Sequence, residues 1–381
     1  MINRSDMRIT LWILSFLLII SAGCGPSGNT PAPESTNAYA RGFSIGFEKG
    51  FRILTVRNPW ENARNVEIRY FLVDKSAEIP EELKGENLIR IPVERIVCLS
   101  TSHIAFVDAL GELDKVTAVS GGEYITHPEI RRGLTEGRIA DVGYGTNLNY
   151  EEIIRQNPDV VMVYGVDSEI TGFLNKFSDL GIPAILNAEF LEQDPLGKAE
   201  WIRFAGALFH KELLADSLFG GIEERYLNLK SLAGPKQERP AVMMGLPYRD
   251  SWWVPGGESY MAALIADAGG KYLGSNNSSR ESYVISFEEA LSWASMAEIW
   301  LNVGMVNRKD EILALDSRFR RFRVFSEGTI FNNNKRSTEA GGNDFWESGA
   351  IAPDRILEDL IRIFHPGLLP SGSMYYYQEV K

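Results

Sequence analysis

Cysteine is scarce. The 381-residue sequence holds two, Cys24 and Cys98, too few for a fold stapled by disulfides. Long apolar runs are missing after the N-terminus, where only residues 9–20 come near one. A polytopic membrane protein is therefore excluded, because a spanning helix needs roughly 18 consecutive apolar residues. Positive charge is short as well: 39 Lys+Arg stand against 51 Asp+Glu, a formal net charge of -12, the wrong sign for binding a phosphate backbone. Histidine is confined to His103, His127, His210 and His365. No HExxH, CxxC or Walker-type phosphate loop occurs, and Gly121-Gly122 lacks the spacing of a dinucleotide loop. What remains is an ordinary globular composition, 44% hydrophobic and 24% charged, long enough for two core-bearing lobes.

The N-terminus reads as an address. Arg4 and Arg8 precede the apolar residues 9–20, and Ser21-Ala22-Gly23 lead to Cys24, the order of a secretory signal. Small residues directly before a Cys resemble the bacterial lipobox, with Ser21 where a branched apolar residue is usual. Residues 1–23 are thus expected to be a signal peptide, Cys24 the lipidated first residue, and residues 24–37, rich in Gly, Pro, Ser, Asn and Thr, a flexible tether. Cys98 is left without a disulfide partner, and its setting in Ile96-Val97-Cys98-Leu99 predicts a buried thiol in a strand.

Residues 38–91 favour strands separated by polar turns, at 43–47, 51–56 and 66–73, and predict a small antiparallel extension. From Pro92 the grammar changes to short apolar runs alternating with helical periodicity. Strands are expected at 95–100, 116–119, 159–164 and 183–186, with helices at 104–110, 150–156 and 170–180. This is the pattern of a parallel sheet covered by helices, an α/β lobe over 92–190. Residues 196–232 lack Pro and carry apolar residues at helical spacing. A long connecting helix is expected over 191–235, with His210 inside it and local weakening at Gly206 and Gly220-Gly221. A second α/β lobe follows over 236–381, its strands at 241–245 and 299–303 and a terminal helix at 355–364. A short internal repeat supports the division: Tyr150-Glu151-Glu152-Ile153-Ile154 and Phe287-Glu288-Glu289-Ala290-Leu291 each precede a buried strand.

Ligands of parallel α/β sheets gather at the carboxyl ends of the strands. Aromatic residues fall there: Tyr124, Tyr144 and Tyr164 in the first lobe, and Tyr248, Trp252 and Trp253 with Arg249 in the second. Asn333, Phe345 and Trp346 occupy later loops. Two adjacent Trp in a polar loop are hard to hide in a core. The set predicts a cleft for a flat or bulky organic ligand, with Arg249, Lys335 and Arg336 able to meet anionic groups. Two other readings stay open: a lipid-anchored hydrolase using His103 or His127 with a nearby Asp or Glu, or a metal held by both histidines and a carboxylate, and a glycan-binding lipoprotein.

The constellation resembles the periplasmic binding proteins that deliver iron-siderophore complexes, haem or cobalamin to ABC importers. Arg95-Ile96-Val97-Cys98-Leu99-Ser100, Val119-Ser120-Gly121-Gly122, Asn157-Pro158-Asp159-Val160-Val161, the interlobe helix and Ala266-Asp267-Ala268-Gly269-Gly270 carry the resemblance. It implies no enzymatic activity and a lipid-anchored periplasmic location. The partners it implies are a permease dimer with its ATPase. It also implies one docking carboxylate per lobe, placed by the repeat at Glu151 and Glu288, with Glu152 and Glu289 as neighbours. No resident cofactor or protein metal site is implied, since the cargo brings its own iron or cobalt. The extension and the tail Tyr375-Tyr376-Tyr377 are additional to the pattern.

Overall fold

The computed structural model describes residues 37–234, 238–248 and 251–381; the signal peptide, Cys24 and Arg249 lie outside the described residues. The extension consists of β1 (Phe43–Glu48), β2 (Phe51–Arg57), β3 (Glu67–Asp74) and β4 (Leu88–Ile91) in that spatial order. It is not wholly antiparallel as the turn-rich sequence suggests, because β4 returns to pair parallel with β3. From there Pro92 leads into the first lobe.

That lobe contains β5 (Ile96–Cys98), α1 (Thr101–Ala109), β6 (Val116–Val119), α2 (Pro128–Thr135), β7 (Ala140–Asp141), α3 (Tyr150–Gln156), β8 (Val160–Val163), α4 (Ile170–Asp179) and β9 (Ala184–Leu186). Its sheet is parallel throughout, in the order β7-β6-β5-β8-β9. Every residue of β5 and β8 is buried, as continuous apolar runs require when helices cover both faces. Burial pushes the Cys98 thiol up to about 12, and the residue is unpaired. His103, on α1, is wholly buried, and that burial drives its imidazole down to about 3.

The connection is three helices rather than one: α5 (Pro195–Glu200), α6 (Ile202–Leu208) and α7 (Glu212–Ala233). His210 is not inside a helix; it takes a left-handed φ of 55° in the break before α7. Gly206 lets α6 and α7 cross closely, since a Cβ there would lie 2.8 Å from that of Ala215. Gly220 and Gly221 interrupt nothing, because α7 runs through them.

The second lobe comprises β10 (Ala241–Met244), β11 (Trp252–Val254), α8 (Tyr260–Asp267), β12 (Lys271–Tyr272), β13 (Tyr283–Ile285), α9 (Phe287–Met296), β14 (Ile299–Leu301), α10 (Lys309–Leu315), α11 (Arg323–Glu327), β15 (Thr329–Asn332), α12 (Pro353–Phe364) and β16 (Gln378–Glu379). Its main sheet runs β12-β10-β14-β15-β16, parallel except for β16. Helices α3 and α9, the repeated motif, are capped alike: the side chains of Asn149 and Ser286 accept from the Glu152 and Glu289 N–H groups. Tyr375-Tyr376-Tyr377 is structural. The Asp359 carboxylate accepts all three of their N–H groups, at 2.7, 2.6 and 3.1 Å, and Tyr376 and Tyr377 are buried.

The extension is tied down in the same manner. Glu200 accepts from the N–H groups of Ala38, Tyr39 and Ala40 at 2.9, 2.8 and 2.8 Å. Glu192 accepts from Arg41, Gly42 and the Trp201 indole. Charged hydrogen bonds of this kind are worth about 1.5–3 kcal/mol each, and an orphaned donor carries its own penalty. Glu200→Ala is expected to lower the unfolding free energy by about 3 kcal/mol, read as a lower urea midpoint at constant m, with faster hydrogen exchange at residues 38–40. A neutral effect would show that these bonds do not hold the extension.

His103 makes a second prediction. The unfolded chain takes up a proton below its ordinary value of 6.5, whereas the folded imidazole resists it down to about 3. Stability should therefore fall as pH drops through that window, by up to about 1.4 kcal/mol per pH unit. A His103→Leu variant should lose that part of the slope; parallel profiles for the two proteins would overturn the assignment.

Candidate functional site

The first lobe brings Tyr124, Tyr144 and Tyr164 together at the carboxyl ends of β6, β7 and β8. Asp141 shapes two of the turns, its carboxylate accepting from the Gly122 and Gly143 N–H groups at 2.9 Å each. Gly121 has a φ of 62°, and a Cβ on it would come within 3.0 Å of Tyr144 and 3.2 Å of Tyr124, so only glycine lets both rings close over the turn. The Tyr124 and Tyr144 centroids are 5.7 Å apart. Tyr164, half-buried, shares a hydrogen bond with Tyr144; burial first and that bond second push its hydroxyl well above the usual range. It meets His103 and Phe190 edge to face at 6.3 and 6.4 Å. Phe190, which sequence reasoning missed, follows β9 with no local motif to mark it.

The second lobe divides the predicted residues. Trp252 and Trp253 lie on strand β11 rather than in a loop, so their side chains point to opposite faces. Trp252 is buried, 6.2 Å from Trp300 and 6.1 Å from Phe322 in stacked geometry, with its indole N–H donating to the Met244 carbonyl at 3.2 Å. It is a core residue, whereas Trp253 is exposed, in register with exposed Val284. Phe345 is likewise buried, edge-on to Tyr376 and Tyr377 at 5.8 Å each. Asn333 is buried, and its neighbours Asn332 and Asn334 donate to the Gly304 and Val306 carbonyls, which makes the asparagine run a structural support. Lys335 donates to the Met374 carbonyl and Arg336 pairs with Asp344. Tyr248 and Trp346 remain exposed.

Trp346 reaches the cleft on a loop that touches the first lobe. Glu347 accepts from the Thr126 N–H at 2.8 Å, and a Cβ on Gly342 would lie 2.1 Å from the Tyr124 carbonyl oxygen. Between the lobes lies a cavity of about 1050 Å³, at the top of the roughly 300–1,000 Å³ range of small-molecule sites. Phe190 and Leu191 line it from the first lobe, and Tyr260, Tyr272 and Trp346 from the second. Among the described residues, Trp346 is the one predicted ligand residue in this lining. Tyr164 adjoins it through Phe190.

Glu151 and Glu288 are both exposed on the first turns of their helices, while Glu152 is held by Arg155 and Gln156 of its own helix. Among the described residues no group of three or more His, Cys, Asp or Glu is placed to hold a metal, and no helix is long and apolar enough to cross a membrane. His127 faces Asp108 at 3.4 Å and His103 is enclosed, so the two histidines form no shared centre. The sequence also contains a Gly-x-Ser-x-Gly run at 42–46. It lies along β1 with Ser44 buried, not at the strand-to-helix turn that a nucleophilic serine uses.

Comparison with known proteins agrees with this geometry. An uncharacterized lipoprotein of Methanocaldococcus jannaschii is 26% identical over 324 residues, covering 81% of this chain and 75% of its own length. A second from the same organism is 25% identical over 332 residues, covering 84% and 82%. Among solved structures, a periplasmic heme binding protein from Pseudomonas aeruginosa superposes with a TM-score of 0.58 at 16% identity, covering 76% of this chain and 98% of that one. The periplasmic heme-binding protein RhuT from Roseiflexus sp. RS-1, in apo form, gives 0.53 at 21%, covering 72% and 99%. The periplasmic binding protein family, one of binding proteins and not enzymes, matches residues 96–327. That span runs from β5 to the end of α11, through both sets of central strands and the connecting helices, and the chain belongs to this family.

Proposed function

We propose that the protein is the substrate-binding lipoprotein of an ABC importer and captures a metal chelate of the iron-siderophore, haem or cobalamin type. The observation that carries this reading is the interlobe cavity, edged by the Tyr164–Phe190 contact on one lobe and by Trp346 on the other. Aromatic faces on two sides suit a flat conjugated ligand, for which stacking adds about 0.5–1.5 kcal/mol per ring pair beyond area burial. The haem-binding neighbours and the lipoprotein relatives support it. The cargo brings its own metal, and no resident cofactor is needed. Cys24 anchors the chain to the membrane from the outside, and Glu151 and Glu288 dock to a permease dimer coupled to its ATPase.

Isothermal titration of the full-length protein in detergent with haem, cobalamin and a panel of ferric siderophores tests the cargo. One class is expected to bind saturably at micromolar Kd or below, about -8 kcal/mol, and Trp346→Ala to weaken it tenfold or more. Failure of every chelate to bind would remove the reading. The double substitution Glu151→Ala with Glu288→Ala is expected to leave that Kd unchanged and to cut cellular uptake of the same chelate at least tenfold. Normal uptake would refute the docking assignment.

A further inference from the structure

The extension lies outside the span matched to the family, 96–327, yet one of its turns enters the cleft. Residues 58–66 join β2 to β3 in a turn of specified shape. Asn58, Asn62 and Asn65 occupy left-handed backbone at φ of 44°, 62° and 57°, which asparagine tolerates better than most residues. The Asn58 N–H donates to the Val66 carbonyl at 2.8 Å, and the Asn58 side chain accepts the Val66 N–H in return at 3.2 Å. The Glu61 N–H donates to the Val166 carbonyl at 2.9 Å, two residues beyond Tyr164. Trp60 and Glu61 then line the same cavity as Phe190, Tyr260, Tyr272 and Trp346.

Six cations and six carboxylates of the described residues line that cavity, and four of the cations are held by partners. Among the cations, Arg57 pairs with Glu67 at 3.2 Å, Lys230 with Asp267 at 3.0 Å and Arg280 with Glu258 at 3.9 Å. Arg239 donates to the Ala266 and Gly270 carbonyls, and the remaining two, Arg41 and Lys271, are solvent-exposed. Glu61 of the extension and Glu281 of the second lobe line the cavity together, and Asp167 of the first lobe lies near enough to Glu61 to repel it as well. Burial first, then Glu281 and Asp167, hold the Glu61 carboxyl above the ordinary range.

We propose that the β2–β3 turn is a third wall of the ligand site, with Trp60 as a stacking face and Glu61 as a charge filter that selects a flat chelate of little net negative charge over a polyanionic one. The inference rests on the metal-chelate reading of the cavity. A triply anionic complex would bring its charge against the Glu61 and Glu281 carboxylates of the lining, whereas a neutral or cationic one would not.

The test titrates the full-length protein, Trp60→Ala and Glu61→Gln with cobalamin, haem and a ferric tricatecholate. The wild-type protein should bind cobalamin or haem at least tenfold more tightly than the tricatecholate. Trp60→Ala should weaken the preferred chelate tenfold or more, and Glu61→Gln should narrow the discrimination severalfold. Hydrogen exchange at residues 58–66 should slow when the chelate is bound, a readout that stands even where Trp60→Ala fails to fold. A wild-type protein that binds a chelate with no change in exchange or in either variant would overturn the third wall and leave the chelate reading intact. Discrimination unaltered by Glu61→Gln, or a tighter tricatecholate, would overturn the charge filter alone. Binding of no chelate at all would instead overturn the chelate reading and the wall with it.

Discussion

Three buried carboxylates hold the parts of this fold that its sheets do not. Glu192, Glu200 and Asp359 each accept a run of main-chain N–H groups. A carboxylate taken out of water is tolerable only when its oxygens are met by donors, and successive backbone N–H groups offer a ready set of them. Burial still leaves Glu192 and Asp359 above the ordinary carboxylate range despite those bonds. The consequence reaches the cleft. Glu192 and Glu200 fix residues 38–42, which lead into β1 and hence seat the sheet whose β2–β3 turn carries Trp60. Asp359 fixes Tyr376 and Tyr377, against which Phe345 packs, and Phe345 in turn supports Trp346 edge-on at 4.7 Å.

Among the described residues, the two lobes meet at the connecting helices and at a loop of the second lobe. One is the set of three helices between β9 and β10, with α7 against α12; the Lys198 ammonium of α5 also lies 5.0 Å from the centroid of the Tyr260 ring on α8. The other is the loop containing Gly342 and Glu347, seated on Tyr124 and Thr126. Helices with their backbone bonds satisfied internally resist bending more than extended strands do. This arrangement is therefore suited to a cleft whose walls are preformed, and preorganisation spares the ligand part of the ordering cost of binding.

Much of the architecture was legible because parallel strands buried on both faces read as apolar runs, as at Val160–Val163, and because the helix between such runs has its own period. The repeat at Tyr150 and Phe287 was legible for the same reason. The site was less so. Trp252 and Trp253 look alike in sequence, but a strand sends one into a core of Trp300 and Phe322 and the other to solvent, and only knowing the element separates them. The polar run at Asn332 and Asn334 reads as a ligand surface, yet it serves the Gly304 and Val306 carbonyls. No sequence pattern predicts that Glu192 or Glu200 meets main-chain groups 150 to 162 residues away. Phe190 and Trp60 become visible as cavity residues only when β9 and the extension are placed beside each other.

These misses share a physical origin that bears on specificity. The sequence pattern located the strand ends that carry Tyr124, Tyr144 and Tyr164 because the parallel topology dictates where they must be. Most of the cavity lining lies within the family match, between Ala188 and Ser282, and two segments beyond that match add to it, the β2–β3 turn with Trp60 before it and the loop with Trp346 after it. Long-range buried hydrogen bonds help to seat both of them. A scaffold that fixes the cleft while appended segments furnish its faces can change cargo without disturbing either core, because loops tolerate substitution that packed strands do not. On that argument the β2–β3 turn and the Trp346 loop, both outside the span matched to the family, are the parts of the lining freest to vary.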